Sequence, residues 1–200
     1  MSVWTPKLSF QSSASVSNGG SAYNGWTNHA LALTANSDHA YTILYGVDES
    51  YRLNLTNLNG IASEIASGST ILGFKTSITG FHTTTGGGSD YANHTATVRM
   101  IKGGTVNLSA TLGSGTIVAA SSTITIGGTS SLGGLTFTRD EAVASNTGIS
   151  IQTTRQVGGD DEGVDKVSII SFVQLEVFFN PPASNRVQSA KMGIRMGCGI

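Results

Sequence analysis

Residues 165–180, DKVSIISFVQLEVFFN, leave little choice of secondary structure. Val167, Ile169, Val173, Leu175, Val177 and Phe179 keep to alternate positions, and Ile170, Phe172 and Phe178 occupy the other set. A period of two is the signature of a strand, because successive side chains point to opposite faces. A strand apolar on both faces is covered on both, which predicts a central place in a sheet.

The same alternation recurs upstream. It runs through AYTILYGV (Tyr41, Ile43, Tyr45, Val47), SYRLNL (Tyr51, Leu53, Leu55) and IASGSTILGFKTSITGF, where Leu72, Phe74, Thr76 and Ile78 share a face. It continues in HTATVRMIKG (Ala96, Val98, Met100), KGGTVNLSATLG (Val106, Leu108), GTIVAASSTITIGG (Ile124, Ile126) and TGISIQTT (Ile149, Ile151). Gly-rich and polar stretches such as TTTGGGSD, IKGG and GGTSSLGG separate these runs, so the spacing predicts about eight strands in a β-sandwich or barrel. Only FTRDEAVASNTG hints at helix, with Thr138 or Asp140 as its cap. Composition agrees: charged residues are 12% of the chain, about half the usual share, and exposed helical faces need more charge than that. Glycine, serine and threonine suit turns and exposed strand faces instead. No internal repeat points to a propeller or solenoid.

Function classes fall away for chemical reasons. The formal net charge of −1 gives no general pull toward nucleic acid or anionic lipid. Cys198 is the single cysteine, so neither an internal disulfide nor a cysteine zinc site can form. The opening MSVWTPKLSFQ carries no long apolar segment, and neither a signal peptide nor a membrane span is expected. The motifs of nucleophile elbows, zinc proteases, phosphate-binding loops and dinucleotide folds are missing, so no enzyme activity, catalytic residue, cofactor or metal is expected. His29, His39, His82 and His94 are too scattered for a ligand set and read as surface or interface residues. The acidic run Asp160, Asp161, Glu162 and Asp165 reads as a solvated hairpin loop, since it lacks the alternation that aims calcium ligands inward. GFHTTTGGGSDYANH places His82, Asp90, Tyr91, Asn93 and His94 around a glycine run. An exposed aromatic ring with amide and carboxylate neighbours is the chemistry of a glycan site.

Residues 1–20 are polar apart from Trp4, Leu8 and Phe10 and read as an N-terminal arm whose apolar anchors pack on another subunit. The sandwich then spans 21–182, and 183–200 reads as a C-terminal extension with Arg186, Lys191 and Arg195 at an interface.

Four stretches, in order, resemble the β-sandwich domain that recurs in phage virion structural proteins: WTNHALALTANSDHA, NLNGIASEIASGSTILGFKTSITGF, IGGTSSLGG with LTFTRDEAVASNTGISIQ, and VSIISFVQLEVFF. Leu132 and Phe137 stand where the family pattern has tryptophan. The resemblance covers roughly residues 26–180 and implies an all-β, antiparallel β-sandwich of jelly-roll type with extended arms. It implies a virion structural protein, a capsid decoration or cement protein that bridges shell subunits on the outer surface of the head after synthesis in the host cytoplasm. Its partners would be itself, as a homotrimer, and the major capsid protein or other virion proteins. A receptor- or glycan-binding module of a fibre, or a minor tail protein, is the alternative.

Overall fold

Among the described residues most of the alternating runs become strands. The structure is a computed structural model, and it describes residues 2–17, 25–35, 38–44, 49–84, 93–155 and 166–183. In chain order the strands are β1 (Val3–Trp4), β2 (Leu8–Val16), β3 (Ala40–Leu44), β4 (Arg52–Leu58), β5 (Thr70–Thr84), β6 (His94–Lys102), β7 (Thr105–Val106), β8 (Gly113–Ile117), β9 (Ser122–Gly127), β10 (Gly148–Arg155) and β11 (Lys166–Asn180). Two short helices, α1 (Ile61–Glu64) and α2 (Arg139–Val143), and a 3-10 turn at His29–Leu33 complete the described elements.

All pairings are antiparallel, and the eleven strands make one curled sheet in the order β7-β6-β10-β4-β2-β11-β5-β9. β8 adds to β6, and β1 and β3 add to β11. The curl turns on β2. Leu8 and Ser9 pair with Leu175 and Gln174 of β11, whereas Phe10 to Val16 pair with β4. One half of the sheet is therefore β2-β4-β10-β6-β8 and the other is β11 with β1, β3, β5 and β9. The two free edges come together where β8 passes into β9. There Ile126 Cγ2 would lie 2.9 Å from a Cβ on Gly113, whose φ of 152° itself favours glycine, and Ile124 Cδ1 3.0 Å from one on Gly115, so the two edges pack closely.

The core fills the space inside the curl. Leu53, Leu55, Val98, Met100, Ile149 and Ile151 from one half join Phe74, Ile78, Ile126, Val173, Leu175 and Val177 from the other in one buried cluster. Each such side chain contributes about 1.5–3 kcal/mol when fully buried. Gly148 sets the spacing of β10 and β4, since a Cβ there would sit 1.9 Å from the Leu55 carbonyl oxygen.

The expected eight strands become eleven. β8 reads GSGTI, with no apolar alternation to reveal it, and β1 and β2 lie in the stretch read as an arm. That reading is corrected. Trp4 pairs with Phe178, Thr5 N–H donates to the Val177 carbonyl at 3.0 Å, and Val177 N–H donates to Thr5 Oγ1 at 2.9 Å. Leu8 and Phe10 are buried in this chain's own core, which removes them as anchors on another subunit. β2 looks polar because its later serines hold a neighbouring segment instead of packing. Ser15 Oγ accepts from Trp26 N–H at 2.9 Å, and Ser13 Oγ lies 2.8 Å from His29 Nδ1. Trp26, 4% exposed, thereby plugs that end of the core.

Faces also shift at two irregularities in the β5–β11 ladder, one between Ile170 and Phe172 and the other between Phe178 and Phe179. Ile170, not Ile169, faces the core, and Ile71 replaces Leu72. Leu108 leaves the strand pattern altogether at 61% exposure.

Helix α2 is specified locally. Thr138 Oγ1 accepts from Glu141 N–H at 3.2 Å, and Glu141 Oε2 accepts from Thr138 N–H at 2.8 Å, a complete capping box. Arg139 then ties the two helices together, donating to the carbonyls of Ile65 and Ala62, each at 2.9 Å. Thr138→Ala should cost about 0.5–2 kcal/mol in urea unfolding. The Thr138 backbone N–H, and then Lys102 at 3.0 Å, hold the Glu141 carboxyl below the usual carboxylate range. A lowered carboxylate pKa stabilises the fold at pH values above the unfolded pKa, and that contribution is lost as pH falls through the folded one. The stability gap between the parent and Glu141→Gln should thus be present at pH 7 and close in acid. A gap that persists unchanged in acid would show that the carboxylate charge contributes nothing.

Candidate functional site

The residues expected to form a site are dispersed. His82 on β5 and His94 on β6 are 3% and 0% exposed, so neither lies on a glycan-binding loop. β5 runs on to Thr84 and β6 begins at His94, which carries both rings into the polar end of the core. They stack across the two halves at 4.6 Å with an interplanar angle of 21°, and His94 Nδ1 lies 2.6 Å from Ser168 Oγ. Asn93 is exposed just before β6, while Asp90 and Tyr91 lie outside the described residues. So do Asp160, Asp161, Glu162, Asp165, Arg186, Lys191 and Arg195. Trp4 is half-buried against Phe178, with ring centroids 4.7 Å apart, and Lys75 Nζ lies 4.6 Å from its centroid while bonding Glu176 at 2.9 Å. His29 Nδ1 lies 2.8 Å from Ser13 Oγ, and His39 packs on Phe81, the residue beside His82. Among the described residues no group of three or more His, Cys, Asp and Glu is placed to hold a metal ion, and no helix is long and apolar enough to cross a membrane.

What the fold does assemble is a polar face on the outside of the β2-β4-β10-β6-β8 half. Once Leu53, Leu55, Val98, Ile149 and Ile151 point inward, the intervening residues must point out. Ala14, Asn54, Ser150 and Arg99 form one row across four strands, fixed by the registers Ala14↔Asn54, Ser150↔Asn54 and Ser150↔Arg99. Ser114, Thr97 and Gln152 form the next, and Thr116, Thr95 and Thr154 the one after. Arg52, opposite Val16, flanks these rows.

Among the described residues two arginines stand on this face with one acid, Glu49, which accepts from Gln152 Nε2 at 3.1 Å. Arg99 Nη1 donates to Gln152 Oε1 at 3.3 Å, and Arg52 Nη2 reaches the Ser17 carbonyl at 3.4 Å. Both bonds are long for charged donors, which favour about 2.7–2.9 Å. Neither arginine forms an ion pair among the described residues; the ion pairs there use Lys75, Lys102 and Arg139. Beneath them Arg52 Nε, Arg99 Nε, Asn54 Oδ1 and Ser150 Oγ are covered from solvent and have no hydrogen-bond partner among the described residues. A buried polar atom left so costs about 1–3 kcal/mol, and the row gains free energy from any partner that lets it re-pair.

The chemistry this allows is recognition. A guanidinium presents a planar fork of donors that fits a carboxylate, and exposed Ser114 and Thr116 with half-buried Thr95, Thr97 and Thr154 add modest, spread hydrogen bonding, while Ser150 and Gln152 are buried beneath. Sequence reasoning passed over these residues, although alternation already marked Arg52, Asn54, Thr95, Thr97, Arg99, Ser150 and Gln152 as the outward set once the inward set was assigned. No family model, no curated protein and no solved structure matches the chain.

Proposed function

We propose that this chain is a virion structural protein, a capsid decoration or cement protein that bridges shell subunits as a homotrimer on the outer surface of the head. Within this reading the curled sheet is a variant of the jelly-roll sandwich whose two halves remain joined through β2. The observation that carries it is the outer side of the β2-β4-β10-β6-β8 half, where half-buried Arg52 and Arg99 stand among serine and threonine rows on a chain whose net charge is −1. Such a face suits seating on an acidic protein surface through many modest contacts, and several copies acting together gain avidity. Closed symmetry is the usual arrangement for such an oligomer.

The stretches that carry the resemblance support the same reading, because they build framework. NLNGIASEIASGST forms the end of β4, α1 and the turn into β5, with Gly60 and Gly68 at φ 73° and 80°. IGGTSSLGGLTFTRDEAVASNTGISIQ leads from β9 through α2 into β10, and its Phe137 packs edge-on against Phe74 with centroids 4.9 Å apart.

The test re-adds protein to particles assembled without it. Wild-type protein should rebind and raise the temperature at which contents are released, and Arg52→Glu/Arg99→Glu should bind at least tenfold more weakly, since each lost charge-assisted contact is worth about 1.5–3 kcal/mol. Particles equally robust with and without the protein, but unable to attach to cells without it, would overturn this reading in favour of a receptor- or glycan-binding module.

A further inference from the structure

A cleft on the other half of the sheet has its own chemistry. Thr27 and Tyr41 exchange backbone hydrogen bonds of 2.8 and 3.1 Å, so the chain entering the His29–Leu33 turn runs alongside β3. Between that turn and the sheet opens a cleft of about 610 Å³, within the range of about 300–1,000 Å³ usual for small-molecule sites. Leu31, Tyr41 and Ile169 supply its apolar lining, and Asn28, Asp38 and His39 its polar lining.

Asn28 and His39 are both held in a usable state. Asn28 sits at φ 53°, where asparagine is among the few tolerated residues. Its carbonyl accepts from Leu31 N–H at 2.9 Å, yet its side chain makes no capping hydrogen bond, which leaves the amide to act outward. His39 packs edge-on against Phe81 at 5.5 Å and 90°, and Phe81 continues the outer row Tyr41–Ile169–Phe81. His39 Nδ1 is covered and has no hydrogen-bond partner among the described residues. A buried lone pair is tolerated better than a buried N–H, so in the neutral ring the proton belongs on Nε2, which makes that nitrogen a donor.

We infer that this cleft binds a neutral sugar ring. An apolar lining that includes one aromatic ring suits the C–H face of a pyranose. Around it stand an amide that both donates and accepts, an imidazole donor and a carboxylate acceptor, and sugar hydroxyls need both kinds of partner. Among the described residues Asp38 is the one formal charge in the lining, so anionic sugars are disfavoured. The open side of the cleft admits the end or flank of a longer glycan.

The site lies apart from the Arg52–Arg99 face, and its test does not depend on virions. Saturation-transfer NMR on the full chain would use glucose, galactose, mannose, N-acetylglucosamine, rhamnose and sialic acid as probes. At least one neutral sugar should give a saturable signal in the millimolar range. Asp38→Ala and Tyr41→Ala should each weaken it at least tenfold in protein that still melts cooperatively. Arg52→Glu/Arg99→Glu should leave it unchanged. No signal from any neutral sugar, a signal insensitive to Asp38→Ala, or stronger binding of sialic acid would each overturn the inference.

Discussion

Deleting residues 1–17 should abolish cooperative folding. β1, Thr5 and the start of β2 run along β11, and the rest of β2 crosses to β4, so this segment joins the two halves of the sheet. Its loss strips the hydrogen-bonded edge from both β4 and β11. It also removes Leu8 and Phe10, at 8% and 3% exposure, from the core. At about 1.5–3 kcal/mol for each large apolar side chain, plus the lost ladder and the newly exposed faces of Leu53, Leu55 and Leu175, the change rivals the 5–15 kcal/mol that keeps a typical domain folded. The truncated protein should show no sharp thermal transition and should expose apolar surface to a dye such as ANS. If it melts cooperatively within a few degrees of the parent, the segment is an arm after all.

Phe74→Ala should be among the most damaging single substitutions, at about 3–5 kcal/mol. The ring is fully buried in the middle of β5, and it stands edge-on to Phe137. Neighbouring strands are bonded on both sides of β5, to β11 and β9, so the backbone cannot collapse far into the space left behind. The loss should appear as a lower urea midpoint with an unchanged slope. Leu108→Ala is the control: at 61% exposure it should shift stability by less than about 0.5 kcal/mol. A Phe74→Ala loss as small as the control's would mean that the two halves do not pack as described.

Much of this architecture was legible in residue order. The alternation at β4, β5, β6, β10 and β11 named strands that exist, and it placed Phe74, Val98, Val173 and Leu175 inside, where each is fully buried. Thr138 was legible as a cap because a capping box is a local device. The misreadings have a common cause. Alternation separates two faces but carries no trace of a bulge, so Ile169 and Ile170 exchanged places at the irregularity before Phe172. The candidate site was hidden in the same way: Asn54, Arg99 and Ser150 are distant in sequence, and only register sets them in one row.

Polarity misled most where a polar side chain finds its partner far along the chain. His94 is buried because Ser168, 74 residues away, meets its ring, and Ser13 and Ser15 belong to a core strand because Trp26 and His29 fold over them. By itself the sequence determined the alternating strands and the capped helix, since each depends on side-chain period and on bonds within a few residues. Only the tertiary structure decided that these strands curl into one sheet, that the N-terminal segment joins its halves, and which polar side chains face solvent. Those outcomes depend on pairings between residues remote in the chain, and no local pattern encodes them.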